Sequence, residues 1–351
     1  VQYIGAMFDL GVPRRVERVF EAKLPDPSEE WRIGAIVGPS ASGKSTLARA
    51  AYPGGYWRDQ TWPARQAIVD CFGRRDVKVV TSMLTAVGFS SPPAWIRPFS
   101  ALSTGEQFRA NLARALLTGG DLVVYDEFTS VVDRTVARVG SAAVAKSIRK
   151  AIIGCRFVAI SCHYDMLPWL QPDWVFDTSD FTLSRRRLRR PKMRLEICRC
   201  LPAAWGLFKV HHYLSAEMCS RAARCFLAIH HGQPIAFASV MPCPGVSRVS
   251  RVSRIVVLPD WQGIGIGRAF CAGLGSLYAE QGRRLCLRTS HQMMIRCLAG
   301  DPSWQIAAVY PRGSPPARGE LQGLHRVSRR AGVSFFWAGD SRSGNSGAGR
   351  T

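Results

Sequence analysis

Short apolar runs, separated by glycine- and proline-rich turns and alternating with stretches of helical period, set out the 351-residue chain. Residues 31–37 (Trp-Arg-Ile-Gly-Ala-Ile-Val) predict a short strand entering a glycine-rich loop, and 45–51 predict the helix leaving it. Further on, 105–118 predict a helix, 121–126 a buried strand, 134–151 a helix and 156–161 another buried strand. Strands alternating with helices argue for a parallel α/β core. The second half has a different rhythm. Residues 225–230 and 234–241 predict two strands around His231-Gly232-Gln233, a hairpin signal. Then 251–258 predict a strand, 267–281 a helix and 284–289 a strand, which makes an α+β unit.

The change falls at a basic stretch. Residues 185–194 hold seven Lys or Arg in ten, with Pro191 among them. This divides the chain into a first domain at 1–184, a basic linker or phosphate-contacting arm at 185–194, a second domain at 195–337, and a Gly/Ser/Arg tail at 338–351 that composition predicts to be disordered. Within the second domain, 246–254 repeats Val-Ser-Arg three times, and alternation would place several of its arginines on exposed positions of an edge strand.

Three groups of residues in the first domain carry phosphate chemistry. Gly38-Pro39-Ser40-Ala41-Ser42-Gly43-Lys44-Ser45-Thr46 fits G-x-x-x-x-G-K-[ST] between a strand and a helix, the context this motif requires. Its glycines let backbone N–H groups wrap phosphates at the positive end of a helix. Lys44 is placed to reach the β- and γ-phosphates, and the Ser45 hydroxyl to ligate Mg²⁺. Leu122-Val123-Val124-Tyr125-Asp126-Glu127 ends a buried strand in two carboxylates. Asp126 would hold the same Mg²⁺ through water and Glu127 would polarise an attacking water. His163 ends the next strand, where it would contact the γ-phosphate and position that water. Between these groups lies Leu102-Ser103-Thr104-Gly105-Glu106-Gln107, whose Ser103, Gly105 and Glu106 stand at a helix start, a place suited to phosphate.

In this order the three motifs resemble the ABC ATPase superfamily over roughly 30–165. That resemblance implies a P-loop ABC ATPase fold, with ATP and Mg²⁺ as cofactors. It also implies a head-to-tail homodimer in which the signature stretch caps nucleotide on the loop of a second copy. The chain departs from the pattern at Thr104, where the family usually has Gly, and at Val132, where it usually has Leu. Only 59 positions separate Lys44 from Ser103, which shortens the arm that docks a membrane partner, and neither Gln60 nor Gln66 has a clear Q-loop context.

The second domain offers one motif. Arg254-Ile-Val-Val257-Leu258-Pro259-Asp260-Trp261-Gln262-Gly263-Ile264-Gly265-Ile266-Gly267-Arg268 reads as a strand, a glycine-rich turn and a helix. No G-K-[ST] and no suitably spaced ribose-binding acid accompany it, which argues against a second nucleotide loop. It resembles the acyl-CoA pyrophosphate loop of GNAT N-acetyltransferases, pattern [QR]-x-x-G-x-[GA], matched by Gln262, Gly265 and Gly267. The resemblance covers about 195–337 and implies a GNAT acyltransferase domain using acetyl-CoA or another acyl-CoA. Val257, Leu258, Gln262, Gly263, Gly265, Gly267 and Arg268 would then bind it, and the strand before the loop would pair with the pantetheine arm. His211, His212, Tyr213 and Glu217 are candidates to line an acceptor site; Asp260 just past the strand and His291 after the next strand are further catalytic candidates, and the resemblance makes Tyr310 a candidate general acid.

Charge narrows the partners. A formal net charge of +22 favours a polyanion, DNA before RNA, or failing that an anionic surface. Eleven scattered Cys with no C-x-x-C pair, and no signal peptide, fit a reduced cytoplasmic compartment. Cys198 and Cys200 with His211 and His212 match no common zinc-finger spacing. No run reaches the ~20 apolar residues of a membrane span. The expectation is therefore an ATPase joined to an N-acetyltransferase that modifies a nucleic-acid base with ATP-driven clamping, with a more distant resemblance to the Mom-type GNATs of phages. The alternatives are a small-molecule or protein N-acetyltransferase regulated by ATP, and the ATPase subunit of a transporter.

Overall fold

The computed structural model describes residues 22–58, 61–185, 188–212, 223–243, 246–310 and 332–339. The first unit runs β1 (Ile33–Val37), α1 (Lys44–Ala51), α2 (Val77–Ala86), α3 (Pro92–Trp95), α4 (Thr104–Thr118), β2 (Leu122–Tyr125), α5 (Arg134–Arg149), β3 (Arg156–Ser161), α6 (Leu167–Leu170), β4 (Trp174–Asp177) and β5 (Thr182–Ser184). Its sheet has the order β2-β3-β1-β4-β5. The pairs β2–β3, β3–β1 and β1–β4 are parallel, and β5 closes one edge antiparallel to β4. All five residues of β1 are buried. Ala35 faces one apolar cluster and Ile36 the other, as expected for a central strand covered on both faces.

The second unit runs β6 (Glu196–Cys200), β7 (Arg224–His230), β8 (Gln233–Pro242), β9 (Val249–Val257), α7 (Ile266–Glu280), β10 (Arg284–Thr289), α8 (Gln292–Ala299), β11 (Trp304–Tyr310) and β12 (Gly332–Trp337). Its strands lie in the order β11-β12-β10-β9-β8-β7-β6. The one parallel pair, β9–β10, is joined through α7, since parallel neighbours need a crossover. The hairpin between β7 and β8 turns on His231 and Gly232, both at positive φ (47° and 76°), which suits a tight two-residue turn.

Two expectations change. The Val-Ser-Arg repeat does not make an edge strand: β9 sits between β8 and β10, and Arg254 is buried. The period of three cannot follow the strand period of two, so one arginine of the repeat turns inward. The basic stretch after β5 is also not a free arm throughout. Arg190 donates to the carbonyls of Ala142 and Trp169 on the first unit, and Gln171 donates to the carbonyl of Leu188. The expected disordered tail lies, apart from Ala338 and Gly339, outside the described residues, as does Gln60.

The two units meet along the glycine-rich turn of the second. Ser90 N–H donates to Gln262 Oε1 at 2.8 Å, and Lys146 Nζ to the Gly263 carbonyl at 3.1 Å. The Gly88 and Gly263 backbones touch. A Cβ on Gly263 would stand 2.7 Å from Gly88 Cα, and both residues have positive φ, so only glycine fits at this contact.

Candidate functional site

Parallel pairing brings the phosphate-binding candidates to one edge of the first sheet. The loop 38–45 leaves β1, Asp126 and Glu127 leave β2, and His163 leaves β3, so all three sets lie at the C-terminal ends of adjacent strands. Gly43 caps α1 in a left-handed conformation with φ 88°. The buried Lys44 ammonium donates to the Gly38 carbonyl at 2.9 Å and also to that of Pro39, which holds a cation inside the loop. Thr178, after β4, donates to the Val37 carbonyl at 3.1 Å and accepts from the Ser42 hydroxyl, which ties the loop to the sheet. Ser45 is half-buried in the first turn of α1, while Ser40 and Thr46 are exposed.

Asp126 accepts from the Tyr56 hydroxyl and from the Glu127 N–H at 2.9 Å. Burial and the Asp126 carboxylate raise the Tyr56 pKa, which keeps that hydroxyl a donor. Glu127 is exposed, at φ 51°. A non-glycine residue in that region is uncommon and accompanies functional sites. His163 is half-buried, and its N–H donates to the Ser161 hydroxyl oxygen at 3.1 Å.

The signature stretch folds as a capping box. Glu106 N–H donates to Ser103 Oγ at 3.3 Å, and Ser103 N–H to Glu106 Oε2 at 2.9 Å. Gln107 braces the entry by donating to the carbonyls of Phe99 and Leu102. A Cβ on Gly105 would meet Val136 Cγ2 of its own unit at 3.2 Å and Asp260 Oδ1 of the second unit at 3.4 Å. From the same helix Arg109, fully buried, donates to the Pro259 carbonyl at 2.6 Å and the Asp260 carbonyl at 3.1 Å. Burial lowers the Arg109 pKa to about 10 and raises that of Asp260.

The acyl-CoA candidates line a cavity of about 260 Å³ between the units. Its shape follows from the strands. β9 and β10 pair only from Val249↔Arg284 to Val252↔Leu287. Both continue, to Val257 and Thr289, without pairing to each other, and the residues beyond the split line the cavity. The inner edge of β9 thus presents backbone groups with no strand partner on that side. The Gly263–Gly265 turn lies at the end of β9, and Gly265, at φ 103°, starts the 15-residue α7 with no side-chain cap. Its first-turn N–H groups are therefore open to an anion.

Val257, Gln262, Gly263, Gly265, Gly267 and Arg268 line this cavity; Leu258 is not among its lining. Gln262 is also structural, since its amide accepts from Ser90 and donates to the Val257 carbonyl at 2.9 Å. Arg268 pairs with Asp301 at 2.8 Å. His211, His212 and His291 line the cavity too. Burial lowers the pKa of His211 and of His291, whose Nδ1 accepts from the Met294 N–H. Tyr310 is not among the lining residues, but its ring stacks on Arg288, which is, with the guanidinium 3.9 Å from its centroid; Tyr213 and Glu217 lie outside the described residues. Among the described residues no group of three His, Cys, Asp or Glu could hold a metal, the Cys198 and Cys200 pair included, and no helix could cross a membrane.

Tyr56, Thr178, Arg109, Lys146 and Lys150 were not visible as site residues in the sequence. Lys146 and Lys150 stand four apart, at the end of α5, and so share a helix face, but no local pattern says which domain that face meets.

Residues 221–298 match the family model described as Acetyltransferase (GNAT) domain. No curated protein matches the chain. Among solved structures, an ATP-bound bacterial ABC exporter of the Atm1 family is similar at 17% identity and TM-score 0.34, over 42% of this chain and 32% of that one. The chain thus spans about a third of the exporter's length. A dimeric bacterial ABC transporter cassette is similar at 16% identity and TM-score 0.37, over 44% of this chain and 84% of that one. An IAA acetyltransferase from Bacillus cereus is similar at 13% identity and TM-score 0.29, over 41% of this chain and 99% of that one.

Proposed function

We propose that the chain is an acyl-CoA-dependent N-acyltransferase joined to an ATP-hydrolysing P-loop domain of ABC type, acting on a nucleic acid. The observation that carries the transferase part is the split between β9 and β10 beside the left-handed turn at Gly265. An extended amide-bearing arm fits along the open edge of β9, and a diphosphate fits the uncapped start of α7. His211 lines the same cavity with a lowered pKa, which keeps it unprotonated at neutral pH and suited to take a proton from an acceptor amine.

The first domain supplies the nucleotide site. The loop 38–46 would hold the phosphates of ATP, with Lys44 as its fixed cation. Ser45 and Asp126 are oxygen donors of the kind Mg²⁺ takes, and the metal would neutralise phosphate charge there. Glu127 would orient the attacking water, with His163 beside it on the adjacent strand. The head-to-tail pairing implied by the signature needs the first turn of α4, where Gly105 already faces Asp260 of its own chain. Size measurement of Glu127→Gln with and without ATP tests that pairing.

A net charge of +22 supports a polyanionic acceptor, DNA before RNA. The test is ATP hydrolysis and transfer of labelled acetyl from acetyl-CoA with duplex DNA, single-stranded DNA or RNA present. Stimulation by one polymer and label on its bases support the proposal. Hydrolysis that no nucleic acid alters, with label on a protein or small amine instead, would replace the acceptor.

A further inference from the structure

The walls of the acyl-CoA cavity do not all come from the transferase unit. The ends of α2 and α5, in the P-loop unit, close one side with Thr85, Ala86, Lys146, Ser147 and Lys150. Lys146 Nζ lies 3.1 Å from the Gly263 carbonyl and 3.6 Å from where a Cβ on Gly265 would stand. The ammonium therefore sits over the turn that opens α7, beside the N–H groups awaiting an anion. Lys150, one turn further along and exposed, stands on the same side of the cavity. No carboxylate is found among the described residues that line it.

The local electrostatics favour an anion here. Burial pushes the Lys146 pKa down, and the neighbouring Lys150, Arg268 and Arg190 push the same way; the Cys297 thiol acts in the opposite sense. Arg268 is already paired with Asp301, but holding Lys150 and Arg190 near a half-buried ammonium is unfavourable unless an anion neutralises them.

We infer that the phosphates of acyl-CoA are gripped by both domains at once: by the N-terminus of α7 from the transferase unit, and by Lys146 with Lys150 from the P-loop unit. The inference rests on the acyl-CoA reading of the cavity and adds a half-site that the transferase domain alone would lack. Lys146 lies beside the place of the diphosphate, and Lys150 adds charge towards the cavity mouth.

The test is calorimetric binding of free CoA to the full chain, with ADP binding measured on the same samples. Lys146→Met keeps the stem and removes the charge. It is expected to weaken CoA about tenfold or more, as loss of a charged hydrogen bond does, and to leave ADP binding unchanged. The dependence of CoA affinity on salt should become shallower in the same variant, which a purely structural lysine would not cause. Wild-type CoA affinity in Lys146→Met would overturn the inference and leave the transferase reading standing. A wild-type chain that binds ADP but not CoA would overturn the transferase reading itself. If Lys146→Met loses ADP binding too, it is misfolded and the exposed Lys150→Met decides. Severalfold weaker CoA with ADP binding kept supports the shared grip, and unchanged CoA binding overturns it.

Discussion

Arg109 Nη1 lies 2.6 Å from the carbonyl oxygen of Pro259, so a fully buried guanidinium on α4 is fastened to the turn that precedes the glycine-rich loop of the second unit. Its second arm reaches the Asp260 carbonyl at 3.1 Å, and the Asp260 carboxylate lies 4.0 Å away. A planar fork can hold two adjacent carbonyls at once, and an ammonium cannot. Arg109→Ala is expected to destabilise the chain by about 3 kcal/mol, because two carbonyls lose charged donors within the protein. Arg109→Lys should recover only part of this. Urea unfolding followed by tryptophan fluorescence measures both.

The contact between Gly88 and Gly263 makes a sharper steric prediction. In Gly263→Ala the new methyl would meet Gly88 Cα at 2.7 Å and Ala143 Cβ at 2.8 Å, and the residue would keep φ near 92°. Left-handed strain alone costs about 1–2 kcal/mol, and backbone displacement adds to it. The unfolding midpoint should fall and CoA binding should weaken together. A variant as stable as wild type would show that the units do not touch there.

At the nucleotide edge, Lys44→Ala is expected to weaken ATP binding by about tenfold to a hundredfold, since it removes the cation held on the loop carbonyls. Glu127→Gln should instead keep ATP binding and lower hydrolysis by about 10²–10⁴, the usual range for losing a general base. Nucleotide titration and phosphate release separate the two effects.

Stability should depend on pH through His291. Burial holds its pKa below the usual 6.5, so the folded state favours the neutral ring, whose Nδ1 accepts from Met294. A depressed folded pKa means that the unfolded chain binds the proton more readily. Stability is therefore present above pH 6.5 and is lost as pH falls below it, at up to about 1.4 kcal/mol per pH unit. His291→Asn keeps a capping acceptor without the titration, and its stability should change less between pH 7.5 and 5.5, as measured by urea unfolding across about that range.

Much of this was legible locally. The buried run of β1 followed by Gly38–Ser45, the carboxylates after β2 and the turn after β9 each carry their chemistry in consecutive residues. The hairpin at His231-Gly232 was legible for the same reason, since a two-residue turn is a local event. What stayed hidden depends on distant pairing. The split of β9 from β10 is decided where register ends, at Val252 and Leu287, and neither residue marks it. Arg109 reads as one more cation among the helical positions of α4, and only docking of the second unit buries it. Lys146 likewise gains its meaning from Gly263, 117 positions away. The Val-Ser-Arg repeat misled because its period of three is not that of the strand it occupies, so Arg254 points inward.

On the proposed reading one chain holds an acyl-CoA and an ATP at separate sites. Equilibrium dialysis of Glu127→Gln with labelled acetyl-CoA and labelled ATP, singly and together, is the decisive measurement. Saturation is expected at one molecule of each per chain, with both bound at once. Folded protein that takes up ATP but no acetyl-CoA at concentrations up to about 1 mM, the upper end of ordinary enzyme–substrate affinities, would contradict it, as would mutual exclusion of the two ligands.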